Sequence, residues 1–454
     1  MMKIKEDDKI STVLKYHDDK LHSLVNETKN RRLISEDQIK NTEKLLTELG
    51  YNIEVDNIPT KQNNDKKIMY VPSFEQVFAA ANKELGKTYS IESLFTKEEL
   101  VNNSRYIQVM NNEYNSIHKL DAYDISIAAV AGLVGAAADI LLVGIPSKTT
   151  DGLKSGPLSD YIRDYFDKVF PEEKVTKLAS AKMSKVPFDA QDNRNTTIRI
   201  EGLSAYYHRL LQPGHDPLLG LLFGVADILN GTMTTIDKNG NFVVQIMENY
   251  SDRTEQSIFA ALAKLFVHYA SDITTSMGLP VPLMSLFNFL QIGRIGEYEQ
   301  SIAEIVQGMY YEGYDFIHFC SMSVPTMLIE VITRVGYALK RKIEGYSINE
   351  CLPFSLNREN KPKLSTMLFI AHSSATAINT GKIVFSENPL AINYPQWIAF
   401  AKYSYTQLKW VLIDKPNKRD DYVMGKFDEE LGEIYNSIDN FFNKLSEKYT
   451  IIMN

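Results

Sequence analysis

Cysteine is scarce in this chain. Two residues, Cys320 and Cys351, in 454 positions exclude a disulfide scaffold and fit a reducing compartment. Basic residues are not in excess either: 49 Lys and Arg against 57 Asp and Glu leave a net charge of −8, and there is no basic tail. That balance argues against nucleic acid as a partner. No Gly-rich phosphate loop ending in Lys-Ser/Thr is present, no dinucleotide fingerprint between strand and helix, and no Gly-x-Ser-x-Gly elbow. Neither cysteine sits in an activating motif. The first thirty residues lack an apolar core, so no cleaved secretory signal is expected. A charged fraction of 23% is too high for a purely polytopic membrane protein, while 44% hydrophobic residues suffice for a large folded body.

What the chain does have is apolar helical patterning. Residues 1–120 are polar, with heptad-like apolar positions such as Ile10, Val13 and Leu14, then Leu45, Leu46 and Leu49 before a helix stop at Gly50. Tyr51–Val55 alternates like a short strand, and 60–67 reads as a linker. Ser73-Phe74-Glu75-Gln76 and Thr96-Lys97-Glu98-Glu99 each match a capping box. Residues 121–345 are different in character. Ile125–Ile145 contains only Ser126 and Asp139 as polar members, long enough to span a bilayer, with small residues that permit close helix packing. Leu218–Leu229 is a shorter apolar helix, buried or re-entrant. Asp237-Lys238-Asn239-Gly240-Asn241 reads as a hairpin turn, and it lacks the downstream Glu of a calcium loop. Residues 346–454 bring buried helices at 364–380 and 395–411. A seam of Phe427, Leu431, Ile434, Ile438, Phe441 and Leu445 follows, expected to pack against the same chain. The fold class expected is all-α: a multi-helix bundle with Gly/Ala-rich central helices and minor β-hairpins.

Chemistry concentrates in a few acids and histidines. Two Gly-rich apolar stretches, Gly132–Leu141 and Gly220–Leu229, each place an Asp seven residues after a Gly: Asp139 and Asp227. A carboxylate in such surroundings must be paired, protonated or metal-bound. His268 and Asp272 stand at i and i+4 on a helix, so they project from one face and can hold one ion. His208-Arg209 precedes the turn Pro213-Gly214-His215-Asp216-Pro217. Asp216 and Asp227, eleven apart, share a helix face if one helix holds both. Ordinary roles stand beside each of these. His215-Asp216-Pro217 also reads as a helix-capping turn, Asp139 and Asp227 as helix-end carboxylates bonded to loop amides, and His268/Asp272 as a plain helix pair. His318 and His372 fit core histidines; His17, His22 and His118 look solvent-facing.

The order Asp139, then His208-Arg209 with His215, then His268-x-x-x-Asp272 with Gly278 and Pro280 resembles membrane-bound metal-dependent hydrolases related to a LexA-binding inner-membrane protein. The likeness covers about 60 scattered residues. It departs where that family has Asp-x-Asp (position 141 is Leu), where its two middle histidines are five apart rather than seven, and where it has Ser in place of Asp216. The resemblance implies a helical protein holding one or two divalent ions (Zn, Mn or Fe). Asp139, His208, His215, His268 and Asp272 would be ligands, Asp216 or Asp227 a supporting partner or base, and Arg209 a phosphoryl-neutralising cation. The substrate implied is a phosphoester or lipid-like molecule at or near the membrane. Abundant Lys, Asn and Ile hint at an AT-rich bacterial source. The location expected is thus the bacterial cytoplasm or the cytoplasmic face of the inner membrane, not secretion, with membrane lipid and a homo-oligomer as candidate partners. The competing expectation is a non-enzymatic, membrane-associated interaction or pore/assembly protein of a mobile or defence locus.

Overall fold

The computed structural model describes residues 5–50, 67–149, 152–352 and 361–453. The short strand expected at 51–55 and all but the last residue of the linker expected at 60–67 lie outside them; Lys67 opens the first described strand. In chain order the helices are α1 (Glu6–Glu48), α2 (Phe74–Leu85), α3 (Lys97–His118), α4 (Ala122–Ala138), α5 (Pro157–Val169), α6 (Glu172–Ser180), α7 (His208–Leu211), α8 (Phe223–Asn230), α9 (Ile258–Asp272), α10 (Ile302–Tyr311), α11 (Phe316–Ile343), α12 (Ile348–Cys351), α13 (Pro362–Ser386), α14 (Tyr394–Lys409) and α15 (Lys415–Lys448). Three two-stranded sheets complete the described residues: β1 (Lys67–Val71) parallel to β6 (Tyr449–Met453), and the antiparallel pairs β2 (Ser147–Thr149)/β3 (Gly152–Lys154) and β4 (Thr232–Ile236)/β5 (Phe242–Ile246). The protein is mostly helical, as its patterning predicts. β4 and β5 pair Ile236 with Phe242 across the expected Asn-Gly turn, where Gly240 takes φ +81°.

Two compact units divide the chain: Met1–Ile117 with Pro416–Asn454, and His118–Lys415. This cuts it differently from the three segments read from sequence, because α13 and α14 belong with α4 and α11 while nearly all of α15 joins the N-terminal helices. In the first unit, α2 starts on the Ser73/Gln76 box and stops at Gly86 in the left-handed region. α3 starts where Thr96 and Glu99 exchange hydrogen bonds. Rings of Tyr114 and Tyr422, and of Tyr106 and Phe427, join α3 to α15. The remainder of the C-terminal seam is not covered: Leu431, Ile434, Ile438 and Phe441 are exposed. The 22-residue α3 is too short to cover the face of the 34-residue α15.

In the second unit α4, prolonged by a π-helical turn at Asp139–Val143, packs against α11 and α13, and α14 packs against the same two helices. α4 and α13 run one way, with Gly132 against Ala371 and Asp139 against Asn379. α11 and α14 run the other, with Asp124 against Lys340, Gly135 against Ile329, and Thr326 against Gln396. Glycine sets the spacing: a Cβ on Gly132 would lie 2.6 Å from the Ala371 carbonyl oxygen, and on Gly135 2.3 Å from the Ile329 side chain. Two helices, one including Ala122–Val143 and the other Phe316–Ile343, are long and apolar enough to cross a membrane.

The part that carries the histidines is the insert between α4 and α11. Its core joins Val186, Phe188, Ile200, Val225, Ile228, Met233, Leu265 and Tyr269. Leu218–Leu229 is a 3₁₀ turn (Leu219–Leu221) followed by the short α8, which begins only at Phe223. Asp216 therefore lies outside the helix that holds Asp227, and the two do not share a face. Replacing Gly132 with Leu should cost at least ~2 kcal/mol, since backbone rather than a movable side chain blocks the new Cβ. A thermal melt of Gly132→Leu within error of wild type would refute this packing.

Candidate metal centre

Three short elements converge. His208 opens α7, His215 closes the 3₁₀ turn Pro213–His215, and His268 and Asp272 lie one helical turn apart near the end of α9. Two glycines, one in the His215 turn and one opening the second Gly-rich stretch, make this convergence possible. A Cβ on Gly214 would lie 2.7 Å from the Phe188 ring, and one on Gly220 1.8 Å from the Tyr269 hydroxyl. That hydroxyl donates to the Gly214 and Asp216 carbonyl oxygens, tying the His215 turn to α9. Phe188 meets His215 and His268 edge-on, at ring-centroid distances of 5.0 and 5.6 Å.

A fifth residue joins them that the sequence reading missed. Asp189 follows the turn at Pro187-Phe188, and its Oδ1 lies 3.5 Å from His208 Nε2 and 3.6 Å from His215 Nε2. On the other side, Asp272 Oδ2 lies 3.4 Å from His268 Nε2 and 3.9 Å from His215 Nε2. These separations are too long for hydrogen bonds. Asp189/His208/His215 and His215/His268/Asp272 are two ligand triads sharing His215, the ligand atoms of each within 4.8 Å of one another.

The outer nitrogens fix the inner ones. His208 Nδ1 lies 3.0 Å from the Ala205 carbonyl oxygen and His268 Nδ1 2.8 Å from that of Ser184. A carbonyl only accepts, so each Nδ1 carries a proton, and in the neutral ring, the form that binds a metal, each Nε2 presents a bare lone pair inward. In that form lone pairs face carboxylate oxygens with no proton between them. His208 Nε2, both nitrogens of His215, His268 Nε2 and Asp272 Oδ2 are buried without a hydrogen-bond partner. At ~1–3 kcal/mol each, the unpartnered imidazole nitrogens cost a large part of a domain's net stability, while Asp272 Oδ2 has the Arg209 guanidinium beside it. A cation among the inward-facing Nε2 atoms and carboxylates relieves all of these but His215 Nδ1. A tetrahedral shell with bonds of ~2.1 Å has edges of ~3.4 Å, close to the observed spacings. Three imidazoles and two carboxylates suit Zn, Mn or Fe.

The electrostatics agree. Burial drives the His215 pKa down to about 4, against the opposing pull of Asp189, so the ring is neutral at pH 7 as a ligand must be. Arg209 Nε sits 3.0 Å from Asp272 Oδ2, while its Nη1 donates to Thr275 Oγ1 and, at 3.1 Å, to the Gly278 carbonyl. The guanidinium is therefore held by protein on several sides and fixes Asp272. Asp189, with 27% of its side chain exposed, is the member that solvent reaches.

Of the sequence-derived site residues, His208, Arg209, His215, His268 and Asp272 come together; the remaining three do not join the ligand group. Asp139 is held in the bundle by Asn379, Asn393 and Lys382, at 3.0, 2.7 and 3.0 Å. Asp227 accepts from Thr232 Oγ1, Thr234 N and Thr234 Oγ1, bracing β4 against α8. Asp216 caps its own turn through the Leu218 and Leu219 amides. Burial raises both Asp216 and Asp227 against these hydrogen bonds. Asp189 gave little sequence signal, a single acid in apolar Val186-Pro187-Phe188-Asp189-Ala190, 19 residues before His208 with no helical period linking them.

Comparison with protein-family models, with curated proteins and with solved structures finds no match to this chain.

Two substitutions separate the roles. Asp189→Ala should lose bound metal with the fold kept. Asp227→Ala should cost about 2–3 kcal/mol by orphaning buried donors, yet retain metal. Elemental analysis beside a urea titration reads both, and the reverse pattern would refute the assignment.

Proposed function

We propose that this chain is a metal-dependent hydrolase of phosphoesters, acting at or near a membrane. The observation that carries the reading is the inward convergence of three buried imidazoles and two carboxylates, with Nε2 atoms and carboxylate oxygens that make no hydrogen bond to one another. His208, His215, His268, Asp272 and Asp189 would hold the ion, which would supply a water acidic enough to ionise near neutral pH. The charge count favours an anionic substrate. Two carboxylates and Arg209 around a divalent ion leave the centre one positive charge, suited to a phosphodiester oxygen. Arg209 and the Ala205 and Ser184 carbonyls keep the ligands aimed, and Asp189 marks the side from which substrate arrives. The resemblance in the order of the His and Asp motifs supports the same chemistry by analogy.

Protein purified in mild detergent without added metal should carry about one equivalent of Zn, Mn or Fe and cleave bis(4-nitrophenyl) phosphate. His268→Ala/Asp272→Ala should carry none and lose at least ~100-fold in rate. Arg209→Lys should keep the metal and lose ~10–100-fold. No metal in wild type, with the double variant equally stable, would overturn the reading.

A further inference from the structure

We infer that α4, α11, α13 and α14 span a phospholipid bilayer, with the metal centre on the face opposite the Lys/Arg-rich end of that bundle. The first ground is the distribution of side chains, which is inside-out. Small and polar residues are buried in the interior beside Ile329, Met367 and Leu368: Gly132 and Gly135 against neighbouring helices, Gln396 bonded to His372 and Thr376, Asn379 and Asn393 bonded to Asp139. Large aliphatic and aromatic side chains point outward, among them Leu133, Leu141, Met327, Leu339, Phe385 and Leu412. A water-soluble bundle buries its aliphatic stripe and exposes polar residues. Small-residue contacts and polar groups bonded helix to helix, under an aliphatic exterior, suit lipid.

Length agrees. At ~1.5 Å per residue, α4 with its π turn, α11, α13, and α14 with its continuation to Asp414 are each about 30 Å or more, the thickness of a bilayer's hydrocarbon core; α4 and α11 are also apolar enough to cross by themselves, while α13 and α14 would cross packed against them. The chain's two tryptophans, Trp397 and Trp410, lie near opposite ends of α14, as interfacial anchors do. Lys402 on α14 lies with its amine 4.7 Å from the Tyr403 ring, on a stem long enough to snorkel.

Sidedness follows from charge. Lys340, Arg341 and Lys342 end α11, Lys361 and Lys363 flank the start of α13, and Lys409 ends α14; the helix directions put all six at one end. Counted within about 20 residues of the helix ends, the opposite end holds fewer: Lys382, paired with Asp139, Lys148 and Lys154 of the β2/β3 hairpin, and Arg163. Cytoplasmic loops are the Lys/Arg-rich ones. The centre belongs to that opposite end, where Arg163 grips Asp315 at the start of α11 and Phe316 N donates to the Leu279 carbonyl oxygen. It therefore faces away from the cytoplasm, not toward it as expected from sequence.

The test needs no bound metal and is independent of the hydrolase reading. In the full chain with Cys320→Ser and Cys351→Ser, a single cysteine is placed at Thr176 (T176C) or Asn349 (N349C), both exposed. Membranes are washed with alkaline carbonate, and intact spheroplasts are labelled with a membrane-impermeant maleimide. The inference predicts carbonate-resistant protein for both variants and for the unmodified chain, T176C labelled in intact spheroplasts, and N349C labelled only after lysis. Release of the unmodified chain by carbonate would overturn the bilayer assignment, including the case where a second copy covers the apolar face in a soluble dimer. Carbonate resistance with the reversed labelling would overturn the sidedness.

Discussion

Buried imidazole nitrogens turned toward carboxylate oxygens, with no hydrogen bond joining them, are the constraint on which this structure turns. The Ala205 and Ser184 carbonyls commit two imidazoles to a single tautomer, so Nε2 of each must look inward at a carboxylate. Two acceptors at 3.4–3.5 Å repel. The arrangement is strained by itself and becomes favourable only with positive charge at its middle. Much of the insert's architecture serves that geometry. The glycines at 214 and 220 let Phe188 and the Tyr269 hydroxyl come close, and Arg209 balances Asp272 from behind.

The four-helix bundle poses a related problem and answers it differently. Asp139 is as buried as the site carboxylate Asp272, but Lys382 neutralises it and two asparagine amides saturate it. One buried acid is complete within the protein, whereas the other, paired with Arg209 on one side, turns the same oxygen toward His268 and His215 with no hydrogen bond between them. That contrast separates a structural carboxylate from a ligand better than burial or apolar surroundings do.

The same contrast explains what was legible in the sequence. The all-helical class, the β4/β5 turn and the α2 cap follow from local rules of period and turn chemistry. His268 and Asp272 were legible because one helical turn joins them, and His208, Arg209 and His215 because a Pro-Gly turn folds a short segment back on itself. Asp189 was not, since its place depends on a loop whose path is set by tertiary packing of Phe188. The two Gly-rich stretches look alike in sequence, yet Asp139 answers to Asn379 and Asn393, some 250 residues away, and Asp227 to Thr232 and Thr234 just beyond its helix. Sequence shows that a carboxylate there must be satisfied; only the fold shows by what.

The central claim is that a metal ion joins these inward-facing atoms. X-ray absorption at the metal edge of the purified protein tests it most directly. The account predicts a first shell of nitrogen and oxygen at ~2.0–2.2 Å with the outer-shell scattering of at least two imidazoles. A shell of oxygen alone without imidazole scattering, or no edge above background, would contradict it.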